Sequence, residues 1–242
     1  QYTNSLRVVR AESGVLNAAS ETGILIRSLE HYEGSFEDGQ GSVGPWAART
    51  AGSWGNALEV SICATSTAFE QNITTTNLVN GAGSSGDTTV TVDDVDDSSY
   101  GINVGDIVSF FTDSGFGTYA TNHVGQEYEV TARSTSDNTI TIRKKDDPNS
   151  GGLNGSLADN SYIRRRWKYY DLFNAAPGTS AWATENNKGT ADEMHVVVAD
   201  TTGEITGFSN AVASQRTTAV IETYDNLSKL SLIHISEPTR PR

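Results

Sequence analysis

The sequence contains very little cysteine or histidine. It has one cysteine, Cys63, and four histidines among 242 residues. A single cysteine excludes an internal disulfide framework and any zinc site built from several cysteines. The scarcity of histidine also weakens the case for a metal centre or a catalytic triad.

The chain also lacks positive charge and long apolar runs. Lys and Arg total 17 against 30 Asp and Glu, so the formal net charge is −13. This balance argues against a general binder of nucleic acid or anionic membranes, because both need net positive charge. No apolar run approaches the ~20 residues that a membrane-spanning helix needs. We therefore expect no nucleic-acid partner and no membrane insertion.

Both ends of the sequence are unusual. It opens with Gln1, and its one methionine is Met194, so we expect a processed chain or part of a longer one. Residues 231–242 read SLIHISEPTRPR, which resembles the translation of sequencing-adapter DNA. We therefore expect residues 230–242 to be a non-native tail. The alternative is a genuine, disordered, proline-containing tail.

The hydrophobic pattern predicts a chain rich in β-strands. Strands are expected at 6–10, 23–29, 57–64, 90–95, 106–111, 127–133, 138–144 and 193–200. The strand at 57–64 would be half-buried, with Leu58, Val60 and Ile62 on one face and Glu59, Ser61 and Cys63 on the other. Glycine-rich or polar stretches predict loops at 33–45, 74–89 and 147–160. One helix is expected at 218–227, where Val220, Ile221, Tyr224 and Leu227 follow a helical spacing.

These patterns predict an α+β, β-rich fold with an interrupted domain. A small antiparallel β-barrel or sandwich would form the inserted module, over residues 76–161. The discontinuous α+β domain would comprise residues 46–75 together with 162–229. Residues 1–45 would supply one strand and a connecting segment.

Four segments resemble signatures of the tail sheath proteins of contractile phages (myoviruses), and they occur in the order found in that family. They are ARTAGSWGNALEVSIC (48–63), RRRWKYYDLFNAAPGTSAWA (164–183), DEMHVVVADTTGEITG (192–207) and AVIETYDNLSK (219–229). Together they cover about a third of the chain. VGDIVSFF and GQEYEVTARSTSDNTITIRK are similar to the variable β module that separates such segments in the family.

The resemblance implies a structural, non-enzymatic subunit of the virion, assembled in the host cytoplasm. Hexameric rings of the subunit would stack round the tail tube and contract once to drive the tube through the host envelope. The implied partners are other copies of the subunit, the tail tube protein, the baseplate and the tail terminator. No catalytic, cofactor-binding or metal-binding residues are implied, and no cofactor.

The resemblance also implies an α/β sheath domain interrupted by the inserted module. Residues 1–45 would hold the end of a core-domain strand, and the chain would be a fragment lacking most of the core and the C-terminal domain.

Two polar clusters match ligand-binding patterns only weakly. Gly81, Gly83 and Gly86 fit G-x-G-x-x-G, but the next segment is predicted to be a strand rather than the helix that dinucleotide binding requires. We therefore expect a loop there. An acidic run could offer carboxylates to Ca²⁺ but lacks the EF-hand spacing, so we expect a solvated turn. The run consists of Asp93, Asp94, Asp96 and Asp97.

The segment that follows residue 161 is both basic and aromatic. It contains Arg164, Arg165, Arg166, Trp167, Tyr169 and Tyr170. Such a composition can form a nucleic-acid patch. Because the chain is so acidic, and because alternate residues of an extended segment face opposite sides, we favour a seam between domains or subunits.

Other single residues have plainer interpretations. His195 lies near Asp192, Glu193 and Ser180, but no G-x-S-x-G motif is present, so we expect a histidine at a strand end rather than a triad. We expect Trp46 and Trp54, on either side of Arg49, to be buried. Cys63 is expected to be half-buried and inert. The triplets at Asn72, Asn154 and Asn226 match the glycosylation pattern by chance.

Two alternative functions remain open. A secreted β-rich carbohydrate-active enzyme or binding module would fit the acidity and the Ser, Thr, Gly and Asn content, and would require a cleft with paired carboxylates. A phage surface decoration protein would bind a shell rather than assemble with itself.

Overall fold

The computed structural model describes residues 15–20, 22–36, 44, 46–147, 149 and 151–230. The strand predicted at 6–10, the tail at 231–242 and much of the loop at 33–45 lie outside these residues. The described residues contain nine strands in two antiparallel sheets, with a few short helices. The prediction of a β-rich α+β fold is therefore confirmed at this level.

The larger sheet has six strands in the order β2-β7-β4-β5-β6-β3. Their bounds are β2 Glu70–Ile73, β3 Thr89–Thr91, β4 Ile107–Phe111, β5 Tyr128–Ser134, β6 Thr139–Lys144 and β7 Tyr162–Arg166. All five residues of strand β4 are buried, so both of its faces are covered. Strands β2 and β7 lie just outside the range predicted for the insert and are hydrogen-bonded to each other.

The smaller sheet has three strands in the order β1-β8-β9. Their bounds are β1 Leu58–Cys63, β8 Glu193–Asp200 and β9 Val220–Ser228. Both pairings are antiparallel, with Ser61 opposite Val197 and Val197 opposite Thr223. Strands β1 and β9 are thus the two edges of this sheet.

The helices of the described residues are short. They are α1 Leu29–Ser35, α2 Ser66–Phe69 and α3 Ala181–Glu185, with 3₁₀ turns at Ser53–Ala57, Tyr170–Leu172 and Ala213–Gln215. A hydroxyl residue precedes each α-helix, and its side chain accepts a hydrogen bond from a backbone N–H of the first turn. In the part of the chain that the structure describes, no helix is long and apolar enough to cross a bilayer.

Each sheet has its own core. The core of the six-stranded sheet contains sixteen buried apolar residues, among them Phe110, Tyr128 and Ile163. The core of the three-stranded sheet is smaller and consists of Cys63, Trp167, Tyr169, Val197 and Ala199. Two of these five residues come from the segment that follows β7, so the chain itself ties the two sheets together.

The predicted helix at 218–227 is wrong, since these residues form most of strand β9. Register shifts opposite Met194/Val196 and Val198/Ala199 insert extra residues into the pairing of β9 with β8. Each bulge breaks the period of two, so the apolar residues fall at a spacing that mimics a helix. The strand expected at 23–29 is also wrong: it is reduced to one bridge, Asn17–Ile24, before helix α1 starts at Leu29.

The polar face of β1, rather than its apolar face, is turned toward the interior. Cys63 is fully buried, whereas Leu58 and Ile62 are 38% and 41% exposed. Register places Leu58 and Ile62 on the same face as Val198 and Val196, and places Ser61 beside Val197 on the face that carries the core. Residues 167–169 lie between the two sheets, and their polar groups contact this face of β1.

Candidate functional site

The two sheets meet at a seam built on residues 165–170 and the side chains that contact them. Strand β7 ends at Arg166 in the larger sheet, and Trp167 and Tyr169 then enter the core of the smaller sheet. After Arg166 the chain turns and enters the 3₁₀ turn at Tyr170–Leu172, so the segment passes from the larger sheet to the smaller one. The structure therefore places this basic, aromatic segment between the sheets.

Toward the smaller sheet, the seam is joined by hydrogen bonds to the polar face of β1. The indole Nε1 of Trp167 donates to Ser61 Oγ at 2.9 Å, and Lys168 Nζ lies 2.9 Å from Glu59 Oε2. The hydroxyl of Tyr169 donates to Glu59 Oε1 at 3.2 Å and accepts a hydrogen bond from Asn210. Burial, reinforced by the charge of Glu59, raises the pKa of Tyr169 above its usual range. These partners explain why Glu59 and Ser61 face inward.

Toward the larger sheet, the seam is joined by ion pairs centred on Glu127. Arg166 Nη1, Lys145 Nζ and the Tyr170 hydroxyl approach its carboxylate at 2.7, 3.0 and 2.7 Å. Burial alone would raise the pKa of Glu127, but the hydrogen bond from Tyr170 and the charge of Lys145 bring it below its usual value. Arg166 also lies 2.6 Å from Glu70.

The two arginines before Arg166 are likewise occupied by partners in the protein. Arg165 donates to Gln71 and to the carbonyl of Gly101, and Arg164 lies over the ring of Phe111 at 4.7 Å. Guanidinium groups held by carboxylates, amides and rings are not available to a phosphate backbone. The arrangement therefore favours a joint between sheets over a nucleic-acid patch.

A charged cleft of about 440 Å³ opens beside the seam. Its wall includes Glu59, Asp106, Glu129, Arg143 and Lys168. Burial raises the pKa of Asp106 to about 6, although its side chain lies 3.7 Å from Arg165. Sequence reasoning did not single out this cleft, because Asp106 and Glu129 look like ordinary strand residues until the two sheets are brought together.

Glu129 is the most heavily paired carboxylate of the cleft. Arg143 Nη2 lies 2.5 Å from Glu129 Oε2, and the buried Arg216 also forms an ion pair with it. Arg143 Nη1 donates to the carbonyl of Ala211 at 2.7 Å. Since Ala211 and Arg216 belong to the connection between β8 and β9, Glu129 and Arg143 form a second link between the sheets.

His195 and its acidic neighbours do not form a triad. The ring of His195 accepts a hydrogen bond from Asn226 N at Nδ1, lies 2.9 Å from the carbonyl of Ala175 at Nε2, and stacks on Phe173. Asp192 instead accepts hydrogen bonds from the backbone and hydroxyl of Ser180, which begins helix α3. The polar atoms of both side chains are thus held by hydrogen bonds to neighbouring residues.

The two weak ligand patterns lie in a loop and in a turn. Gly81 and Gly86 lie in a loop before strand β3, in a left-handed backbone conformation. In the acidic run, Asp96 forms an ion pair with Arg133, and Asp97 accepts backbone hydrogen bonds from Ser99 and Tyr100. Among the described residues, no group of three or more His, Cys, Asp or Glu side chains is placed to hold a metal ion.

The prediction that Trp46 and Trp54 are buried is wrong. They are 43% and 65% exposed, and Trp46 lines an open cavity beside Leu58 and Val60 of strand β1. The prediction for Cys63 is wrong in its degree of burial, because the thiol is fully buried. Burial raises the pKa of Cys63 to about 11, which fits an inert thiol.

The role of the seam is inferred from its own contacts rather than from known proteins. No protein-family model matches the chain, and no match is found among curated proteins. In the described residues, many charge-assisted contacts hold the two sheets together. Exposed apolar and aromatic side chains lie outside this seam.

Proposed function

We propose that the chain is a subunit of a contractile phage tail sheath, which stacks as hexameric rings round the tail tube and contracts to drive the tube through the host envelope. One observation carries the proposal: four sheath-like segments occur in the family order, at 48–63, 164–183, 192–207 and 219–229. The proposed partners are other copies of the subunit, the tail tube protein, the baseplate and the tail terminator, in the virion.

The places of these four segments in the fold support the proposal. Three of them supply strands β1, β8 and β9, and the fourth begins inside β7 and continues through the seam. In the proposed assignment, the three-stranded sheet belongs to the discontinuous sheath domain of residues 46–75 and 162–229. The inserted module of residues 76–161, proposed to be a small barrel or sandwich, supplies strands β3 to β6 of the six-stranded sheet, and the sheath domain supplies β2 and β7 of that sheet.

The seam gives this proposal a mechanical basis. Contraction of a polymer without nucleotide fuel needs rigid subunits whose mutual contacts have two arrangements that differ in free energy. Ion pairs and hydrogen bonds on both sides of residues 165–170 fix the two sheets to each other, so each subunit moves as one body. The net charge of −13 keeps a long polymer soluble and opposes lateral bundling.

The test begins with the source DNA, read across the codons for residues 229–242. The complete reading frame is then expressed and imaged by negative-stain electron microscopy. We expect hollow tubes built of six-subunit rings, in an extended and a shorter, wider form. A complete frame that ends near residue 242 and yields only dispersed monomers would contradict the proposal.

The charged cleft favours a second candidate, a secreted carbohydrate-active enzyme or binding module. An aspartate with a raised pKa, such as Asp106, can act as a general acid beside a second carboxylate. Glu59 and Glu129 are each neutralised by a neighbouring cation, which weakens this candidate. Hydrolysis of a panel of polysaccharides that is lost in Asp106→Asn would establish it in place of the sheath.

A further inference from the structure

A groove lies beside strand β1 of the smaller sheet. Two adjoining cavities of about 290 and 410 Å³ share Ala47 in their walls. The first has an apolar floor that includes Trp46, Leu58 and Val60. The second ends in a pair of arginines, Arg27 and Arg49, beside Leu29 and Tyr32. We call the two together the arginine groove.

The two cations of the arginine groove have no anionic partner in the part of the chain that the structure describes. Both side chains are exposed, and neither forms an ion pair there. The contrast with the seam is clear, because Arg165, Arg166 and Lys168 are each paired with a carboxylate. In a chain with 30 acidic residues, two adjacent unpaired arginines beside an apolar floor form a surface that suits an acidic, apolar partner.

Strand β9, at the opposite edge of the same sheet, has the complementary chemistry. Ile221 and Tyr224 are 38% and 43% exposed, and each is followed in the sequence by an exposed acid, Glu222 and Asp225 respectively. Neither acid forms an ion pair with a described residue; Glu222 accepts a hydrogen bond from the Tyr224 hydroxyl. No described strand pairs with the outer edge of β9, so its backbone groups are also open to a partner.

We propose that the arginine groove of one copy receives strand β9 of a second copy, with Arg27 and Arg49 facing Glu222 and Asp225. The two surfaces lie on opposite edges of one sheet, so the contact joins unlike surfaces and repeats from copy to copy. Contacts of this type close into rings or continue as helical polymers. The inference rests on the proposed function in one respect, which is that a sheath brings many copies of the chain side by side.

Charge reversal on each surface tests the contact. The variants are Arg27→Glu with Arg49→Glu, and Glu222→Lys with Asp225→Lys, in the full 242-residue chain. Sedimentation velocity over a wide range of protein concentration measures association at low and high salt. We expect the wild-type chain to associate in a salt-sensitive way, and each variant to associate at least about tenfold more weakly.

Mixing the two variants is the decisive measurement. One has an acidic groove and a native β9, and the other has a native groove and a basic β9, so complementary charges meet at both types of contact. We expect the equimolar mixture to recover the association that each variant lacks. Matched controls are Lys188→Glu and Glu204→Lys, exposed residues whose reversal changes the charge away from both surfaces; thermal unfolding confirms that every variant is folded.

Three results would overturn the contact. They are a wild-type chain that stays monomeric throughout, reversed variants that associate like the wild type, and a mixture that fails to recover association. Loss of association in Glu204→Lys would point instead to the loop that exposes Ile205 and Phe208. Tubes of the complete protein that tolerate both reversals would refute this contact but leave the sheath function intact. Association that is restored by mixing the two variants, in a complete protein that forms no tubes, would support this contact but contradict the sheath function.

Discussion

Asp200 is a fully buried carboxylate whose partners are backbone N–H groups rather than a cation. Its two oxygens accept hydrogen bonds from the backbone of Gly203, Ile205 and Thr206, and from the Thr206 hydroxyl. Burial alone would raise the pKa of Asp200, but these donors outweigh it and lower the pKa to about 2. Asp200 thereby fixes the course of the loop that leaves β8.

We predict that Asp200→Asn lowers the free energy of unfolding by about 2 kcal/mol at pH 7, because the amide loses the charge that these donors stabilise. The folded-state pKa lies below the ordinary 3.8, so the stabilisation is complete above about pH 4 and is lost as the pH falls through 2. Urea unfolding at pH 7 and pH 3 measures both effects. Asp146→Asn, at an exposed site, should change neither; equal stability of the two variants would contradict the prediction.

Cys63 is predicted to be unreactive while the protein is folded. Its thiol is fully buried, its pKa is raised to about 11, and its Sγ lies 3.5 Å from the carbonyl of Thr65. At pH 8 the folded protein should therefore react with a thiol reagent such as Ellman's reagent only as fast as it unfolds, because the thiolate is the reactive form. Rapid labelling in buffer, at the rate seen in 6 M urea, would show that the thiol is accessible.

Among elements, strand β9 shows how bulges alter a sequence pattern. Its residues are β-branched or aromatic at several positions, which suits a strand, but two irregularities in its pairing with β8 shift the apolar residues off the period of two. The inserted residues are accommodated because β9 is an edge strand with solvent on one side. A pattern of spacing alone cannot distinguish this arrangement from a helix.

Two loops beside the six-stranded sheet approach each other closely at a glycine. Gly152 has φ of +96°, and a Cβ there would lie 2.2 Å from the carbonyl oxygen of Gly86. We predict that Gly152→Ala lowers the free energy of unfolding by at least about 2 kcal/mol, through backbone strain and a clash with backbone that cannot move aside. Thermal or urea unfolding measures the change.

Gly34 provides the matched comparison for that prediction. It lies in helix α1 with open space around its Cα, and we expect Gly34→Ala to be neutral or stabilising, because alanine favours a helix. A similar, small effect of both substitutions would show that the approach of Gly86 to Gly152 is not close in solution.

At the scale of the whole molecule, the two sheets are held together by paired charges rather than by one shared apolar core. Each sheet has its own cluster of buried apolar side chains, and the links between them are the seam and the Glu129 ion pairs with Arg143 and Arg216. Buried ion pairs add little stability compared with apolar contacts, but losing one partner is costly because the other charge stays buried.

We therefore predict that Glu129→Gln destabilises the protein by about 3 kcal/mol, because it leaves Arg143 and the buried Arg216 without their anion. The destabilisation should be localised to the junction between the two sheets. We therefore expect calorimetry to resolve two unfolding transitions in the variant and one in the wild-type protein. Glu185→Gln, on the exposed surface of helix α3, is the control and should leave the melting curve unchanged. A single transition with wild-type stability in Glu129→Gln would contradict the role given to this ion pair.

The sequence by itself determined the strand content and most strand positions, because β4 and β8 contain short apolar runs, β5 and β6 begin with alternating polar and apolar residues, and turn residues lie between them. It also led to the expectation of a seam between domains or subunits at residues 164–170, because a basic, aromatic segment in so acidic a chain does not favour nucleic acid. It could not assign the faces of β1, because Leu58 and Ile62 are more apolar than Glu59 and Ser61. Only the tertiary structure brings Lys168, Trp167 and Tyr169 against the polar face, where paired polar groups can be buried. The exposure of Trp46 and Trp54, the strand at β9 and the cleft at Asp106 have the same origin. Each depends on which distant segments of the chain pack together, and the spacing of residues within one segment does not show this.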